Sequence, residues 1–157
     1  MTTERRRSVS ATTRLLADKD EIRDVIYRLF IHTDRRGWQT VEECFTSRVV
    51  FDMSSAGGGP PTELAASEIT RGWDSGLRAI AHVHHQAGNM LIDVHGDEAT
   101  AFCYAIALHH TPQATGGDTR TFVGSYDFGL ERLDGRWRIK LFRFDLKYVT
   151  GNLELGA

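Results

Sequence analysis

The sequence predicts an α+β fold, with helices in the first half of the chain and an antiparallel sheet in the second. Between residues 17 and 36, apolar side chains recur at i, i+3 and i+4 spacing, as on one face of a helix. From residue 82 onward, apolar and polar residues alternate, as in half-buried strands. The pair Asp134-Gly135 separates two apolar stretches, and Asp-Gly favours the tight turn of a β-hairpin.

The 157 residues are enough for one domain with one core. We expect that domain over residues 17–150. A flexible N-terminal tail is expected over residues 1–16, where three consecutive arginines lie among polar residues, and a C-terminal tail over residues 151–157.

Helices dominate the predicted first half. The first should run over residues 17–36, because Asp18 followed by Glu21 resembles a capping box and Gly37 ends the helical pattern. The remaining elements are a short helix over residues 38–45, a strand over 48–53, a Gly- and Pro-rich loop over 54–61 and a helix within 62–80.

Strands occupy the predicted second half. They are expected over residues 83–94, 98–110, 121–132 and 136–149, with turns between them. Successive strands joined in this way form an antiparallel meander.

Composition excludes several classes of partner. A net charge of −2 provides no electrostatic attraction to nucleic acid or to a membrane surface, and neither is expected as a partner. No apolar run approaches the ~18 residues that a membrane-spanning helix needs, and the N-terminus lacks a signal-peptide pattern.

Cys44 and Cys103 lack CxxC spacing, which favours reduced buried thiols and a cytoplasmic location over a single disulfide.

The strand over residues 102–109 predicts a cavity. Alternate side chains face opposite sides of a sheet, so one face is large and the other is small until it reaches a histidine. The large face holds Phe102, Tyr104, Ile106 and Leu108, and the small face holds Cys103, Ala105, Ala107 and His109. A closely packed helix would also explain small residues, but His109 favours a cavity with a polar group in it.

The last strand contains a possible ligand-binding cation. Trp137, Ile139, Leu141 and Arg143 share one face if no bulge intervenes. An arginine at the end of an apolar face needs a buried acceptor or solvent, and Asp34, Asp145 or a ligand oxygen could accept its hydrogen bonds.

Asp34 and His85 are the candidate catalytic pair. Asp34 lies at the C-terminal end of the first helix, where the helix dipole disfavours a carboxylate. His85 lies where the helical half gives way to the sheet, and histidine is the usual proton carrier near neutral pH. If the two meet, the carboxylate would fix the imidazole in one tautomer and stabilise its protonated form.

Several features together resemble the SnoaL-like branch of the NTF2-like superfamily. They are the sequence Asp34-Arg35-Arg36-Gly37-Trp38 after the first helix, His85 followed by Gly88-Asn89, the sequence Gly124-Ser125-Tyr126, and the run from Glu131 to Ile139. The resemblance covers residues 17–150. It implies a strongly curved antiparallel sheet wrapped around a cavity and closed by the N-terminal helices.

Within that superfamily the pattern is most similar to the dehydratase-type branch, which includes scytalone dehydratase, bile acid 7α-dehydratase and hexachlorocyclohexane dehydrochlorinase. The resemblance implies that Asp34 and His85 form the catalytic dyad. The resemblance implies that His109, Tyr126 and Met53 lie at substrate-binding positions. The strand patterns described above add Arg143, Ala105 and Ala107 to the expected substrate-binding residues. Thr33 and Met53 stand where scytalone dehydratase has tyrosines, so the substrate of that enzyme is not expected.

The candidate residues and the resemblance together predict a cofactor-independent lyase or isomerase acting on a hydrophobic cyclic molecule. The resemblance also implies a homo-oligomer, either a dimer or a trimer. The alternative is a non-catalytic module, either a small-molecule-binding protein or one like the small subunit of an oxygenase. A metal site on His82 and His84 is a third possibility, but no glutamate follows at the spacing of a cupin, and no metal is expected.

Overall fold

The computed structural model describes residues 2–156, with side chains described from residue 10 onward. Its elements are α1 (Thr2–Asp34), α2 (Trp38–Glu43), β1 (Phe45–Asp52), a 3₁₀ turn (Ser54–Ala56), β2 (Thr62–Ala65), α3 (Ala66–Leu77), β3 (His82–His95), β4 (Glu98–His110), β5 (Thr119–Leu133) and β6 (Arg136–Gly151). None of the described helices is long and apolar enough to cross a membrane.

Helix α1 begins at Thr2, so the predicted start at residue 17 is wrong. Side chains 10–17 are exposed, and Asp18 is the first buried one. Asp18 does not cap the helix, because its carboxylate lies 2.7 Å from Arg132 of β5 and forms an ion pair with it. Burial against the sheet therefore begins at residue 18, although the helix begins earlier. Met1 and Ala157, which end the two predicted tails, lie outside the described residues.

The C-terminus of α1 is a Schellman motif, in which the amide of Gly37 donates to the carbonyl of His32 and that of Arg36 to Thr33. Arg36 takes the left-handed conformation, with φ of 55°, where glycine is usual. Its guanidinium donates to the carbonyl of Leu77, the last residue of α3, and to that of Ile80 just after it. The chain turn that follows Asp34 is thus fastened to α3.

One six-stranded sheet has the order β2-β1-β6-β5-β4-β3. The meander from β3 to β6 is antiparallel, as predicted, whereas β1 pairs with β6 in parallel, so the sheet is mixed. The predicted helix within residues 62–80 is confirmed as α3, but the four residues before it form β2.

Bulges curve the sheet toward the helices. In β3 the pairing with β4 shifts between Gly88 and Leu91, and Asn89 there has φ of 54°. Between β5 and β6 the register shifts at Val123/Gly124 and again at Gly129/Leu130. At Gly124 an added Cβ would lie 2.4 Å from the carbonyl oxygen of Asp145, so this close approach requires glycine.

The second β5–β6 bulge overturns the predicted face of the last strand. Trp137 and Ile139 are buried, but after the bulge Phe142 and Phe144 take the buried positions. Arg143 therefore points to the outer face, away from Trp137, and the shared face that unbroken alternation would give is wrong.

The core lies between the concave face of the sheet and the buried side of α1, which includes Ile22, Ile26 and Leu29. A second, smaller cluster joins Ile80, Val83 and Leu155. Leu155 is buried there, so the C-terminal segment after β6 packs on the domain.

Candidate active site

A cavity of about 230 Å³ lies between the concave face of the sheet and helices α1 and α3. Most of its wall is aromatic or aliphatic. The lining side chains include Phe30, Met53, Trp73, His85, Ala107, His109, Phe122, Tyr126, Phe142 and Phe144. A wall of this kind suits a hydrophobic molecule that is oriented by a few polar groups.

Asp34 and His85 are in direct contact, and both side chains are largely buried. Oδ1 of Asp34 lies 2.6 Å from Nδ1 of His85, and Oδ2 accepts the backbone N–H of His85 at 3.0 Å. A carboxylate only accepts, so Nδ1 carries the proton and Nε2 of the neutral ring has a free lone pair. The two donors from β3 compensate the unfavourable place of Asp34 at the helix end.

Packing also fixes the ring of His85. Phe30 of α1 stacks on it with a centroid distance of 5.2 Å and an interplanar angle of 22°. With one ring face packed and Nδ1 bonded, the edge that bears Nε2 is left for the cavity. The arrangement can accept a proton from a molecule bound there.

His109 has a different partner. Nη2 of Arg120 lies 3.2 Å from Nδ1 of His109. An arginine only donates, so Nδ1 must accept, and the proton of the neutral ring is on Nε2. Burial and the Arg120 charge lower the pKa of His109 to about 4, so the imidazole is a neutral hydrogen-bond donor at neutral pH.

Tyr126 lies in the aromatic wall between these histidines and β6. Its ring packs edge-on against Phe30 and Phe142. Burial raises the pKa of its hydroxyl well above the usual range. It is therefore a neutral donor at physiological pH.

The other predicted binding residues divide into two groups. Met53 and Ala107 line the cavity beside His109 and Tyr126. Ala105 is buried in the core, paired with Gly124 of β5, and does not line the cavity. Arg143 lies outside the cavity, half exposed, with Nη2 3.0 Å from Asp145.

Sequence reasoning missed Arg120 and most of the aromatic wall. Arg120 stands directly across from His109 in the β4–β5 pairing. That register follows from extending the hairpin, so the neighbour of His109 was predictable once the turn had been placed. The rings of Phe142 and Phe144 could not be assigned to the cavity without the bulge.

His82 and His84 are exposed on β3. No cluster of metal-ligating side chains occurs in residues that the structure describes.

Both cysteines are buried free thiols, and burial raises the pKa of Cys44 to about 11 and that of Cys103 to about 12. Neither is an activated nucleophile.

Comparison with known proteins identifies the family. The model of the SnoaL-like domain matches residues 14–143, and the chain belongs to this family. The resemblance inferred from the sequence is confirmed. No curated protein matches the chain significantly.

Solved structures share the fold. The Kfla4162 protein from Kribbella flavida has a TM-score of 0.84 at 23% identity, covering 90% of this chain and 98% of that one. A candidate scytalone dehydratase from Novosphingobium aromaticivorans has a TM-score of 0.78 at 15% identity, covering 90% and 91%. The hexachlorocyclohexane dehydrochlorinase LinA-type3 from Novosphingobium barchaimii has a TM-score of 0.72 at 16% identity, covering 88% and 92%.

Proposed function

We propose that this protein is a cofactor-independent lyase or isomerase that removes a proton from a hydrophobic cyclic molecule. The observation that carries the proposal is the Asp34–His85 contact of 2.6 Å beside an apolar cavity. This contact fixes the buried imidazole of His85 and leaves its Nε2 free to accept a proton. Two of the structural neighbours are named for elimination reactions, which agrees with this chemistry.

In the proposed reaction, Nε2 of His85 takes a proton from a carbon next to a carbonyl or leaving group. The C–H electron pair moves into the substrate, either onto the carbonyl oxygen or toward expulsion of the leaving group. Asp34 stabilises the imidazolium that forms. His109 and Tyr126, both neutral donors, are placed to hydrogen-bond the oxygen or leaving group where negative charge develops.

The rate enhancement has two sources in this proposal. A positioned general base typically contributes about 10²–10⁴-fold. Donors aimed at the developing charge contribute a further term, of the order of 10²–10³-fold per donor. Since both histidines stand on the same concave face, a single bound ring could contact both.

The cavity favours a ring-containing, mainly apolar substrate. Its wall includes six aromatic side chains: Phe30, Trp73, Phe122, Tyr126, Phe142 and Phe144. Its polar contacts are limited to a base and neutral donors. A flat cyclic ketone, or a related molecule with an acidic C–H, fits this combination.

Deuterium exchange tests the proposal without knowledge of the natural substrate. β-Tetralone, a bicyclic ketone with an acidic C–H, is incubated with the protein in D₂O and followed by proton NMR. We expect catalysed exchange that falls by about 10²-fold or more in His85→Ala. His84→Ala, an exposed neighbour on the same strand, is the matched control and should exchange like the wild type.

Binding of β-tetralone without catalysed exchange would overturn the proposal and favour a non-catalytic ligand-binding module. The buried Asp34–His85 pair would then be structural. In that case His85→Ala would lower the midpoint of thermal unfolding and change little else.

We also propose that the protein forms a homo-oligomer through the outer face of the sheet. Tyr104 and Ile106 are each 45% exposed there, beside Leu108 and Leu91. An apolar face of this kind on one side of a sheet is typical of a protein interface. Ile106→Asp should shift the mass measured by light scattering to that of the monomer, and an unchanged mass would rule this face out.

A further inference from the structure

Arg120 is a part-buried cation next to the cavity. Nη2 donates to His109 at 3.2 Å, and Nη1 donates to the carbonyl of Leu153 at 3.1 Å. Its guanidinium carbon lies 5.2 Å from the ring centroid of Phe122, and Phe122 in turn packs edge-on against His109. These contacts join Arg120, Phe122 and His109 into one packed unit at the cavity wall.

Within the described part of the chain, Arg120 has no carboxylate partner. Its Nε is buried without a hydrogen-bond acceptor, and burial alone lowers its pKa. Two other arginines of the sheet are paired with carboxylates: Arg132 with Asp18 and Asp97, and Arg143 with Asp145. A part-buried charge without a counter-charge is costly, and its field reaches further than that of a paired charge.

The hydrogen bond to His109 holds the charge of Arg120 next to a residue that lines the cavity. Arg120 has only donors to offer, so it holds His109 with Nδ1 as acceptor and with the proton on Nε2. Burial and this same cation disfavour protonation of His109, while the charge of Asp34 opposes them. The result is a polarised donor, Nε2–H, in an electropositive part of an apolar cavity.

We infer that Arg120, His109 and Phe122 form an oxyanion subsite, in which Arg120 is the positioning residue and His109 donates to a phenolate- or enolate-type oxygen of the ligand. The subsite selects ligands that bear negative charge on a ring oxygen over uncharged ligands of the same shape. It deepens the proposed function, because the oxygen it holds is the one on which charge develops after proton removal.

Ligand binding tests the subsite without turnover. para-Nitrophenolate is titrated into the protein by calorimetry, above the pH at which the phenol ionises, and para-nitrotoluene serves as the uncharged ligand of similar shape. We expect Arg120→Met to bind the phenolate about 10-fold more weakly or worse, and to bind para-nitrotoluene unchanged. Arg143→Met, which removes an exposed and paired arginine outside the cavity, should bind both ligands like the wild type.

Equal binding of the phenolate by wild type and Arg120→Met would overturn the inference, and so would an equal loss in Arg143→Met. If Arg120→Met does not fold, the wild-type protein still decides the matter. Nitrogen-15 NMR of the His109 ring should show the Nε2–H tautomer, with protonation only well below pH 6.5. An Nδ1–H tautomer would contradict it.

These measurements separate the subsite from the proposed reaction. Failure of the exchange assay with phenolate selectivity intact would overturn the reaction and leave an oxyanion-binding site. Loss of selectivity with exchange intact would remove the subsite alone. If Arg120 has only a structural role, Arg120→Met should lower the thermal stability and weaken the binding of both ligands equally.

Discussion

The two histidines of the cavity wall have partners of opposite charge. The carboxylate of Asp34 lies 2.6 Å from Nδ1 of His85, and the guanidinium of Arg120 lies 3.2 Å from Nδ1 of His109. The same ring nitrogen is therefore a donor in one histidine and an acceptor in the other. The charge of the partner residue thus decides which histidine can act as a base and which as a neutral hydrogen-bond donor within a single cavity.

The two histidines are also supported by different parts of the chain. His85 depends on helix α1, through Asp34 and the stacking of Phe30. His109 depends on β5 and on the C-terminal segment, because Leu153 accepts a hydrogen bond from Arg120. In the sheet register His85 pairs with Ala107, and Val83 pairs with His109, so the two rings are diagonal neighbours. Such neighbours lie roughly 7–8 Å apart, a span that one ring system can bridge.

Asp34→Asn should have the largest effect, and it acts mainly on His85, the residue that Asp34 contacts directly. An amide in place of the carboxylate no longer stabilises the imidazolium and can favour the other tautomer. We expect exchange of β-tetralone to fall by about 10²-fold or more, while phenolate binding at His109 is retained. An equal loss of phenolate binding would mean that the two histidines do not work separately.

Leu155→Ala weakens the support of His109. Leu155 is buried against Ile80 and Val83, so its truncation leaves a small cavity under the C-terminal segment. The free energy of unfolding, from urea denaturation, should fall by about 2–3 kcal/mol, and phenolate binding should weaken. Leu153→Ala is the control, because it truncates an exposed side chain and leaves the backbone carbonyl in place. It should have little effect on stability.

Gly124→Ala tests the close approach of β5 and β6 beside the cavity that both histidines line. The added Cβ would lie 2.4 Å from the carbonyl oxygen of Asp145 and 2.6 Å from the ring of Phe144. Overpacking of this kind typically costs about 1–3 kcal/mol in unfolding free energy. Gly88→Ala meets nothing within 4 Å and is the matched control. Equal stability of the two variants would show that the β5–β6 approach is looser than the structure indicates.

The titration of His109 should contribute to the pH dependence of the free energy of unfolding. Its pKa is lowered from 6.5 to about 4 in the folded protein, so the unfolded chain binds more protons between these values. The stabilisation is complete above pH 6.5 and is lost as the pH falls toward 4. Urea midpoints over this range should fall less steeply in His109→Gln than in the wild type, and parallel curves would refute the shift.

The sequence carried enough information for the helices-then-meander order and for the Asp34–His85 pair, because helical period, strand alternation and motif order are local signals. It failed where the outcome depends on a register shift or on packing at a distance. Arg143 was misplaced by one bulged residue, and Leu155 was assigned to a tail although it is buried. Arg120 was missed because its importance comes from its neighbour across the strand.

The most direct test is a nitrogen-15 NMR measurement of the ring nitrogens of His85 and His109 in the wild-type protein at neutral pH. In the neutral form of each ring, we expect the proton on Nδ1 in His85 and on Nε2 in His109. Substitution of Asp34 by Asn should alter the His85 signals much more than those of His109. The same tautomer in both rings would contradict the assignment of one histidine as the base and the other as the donor.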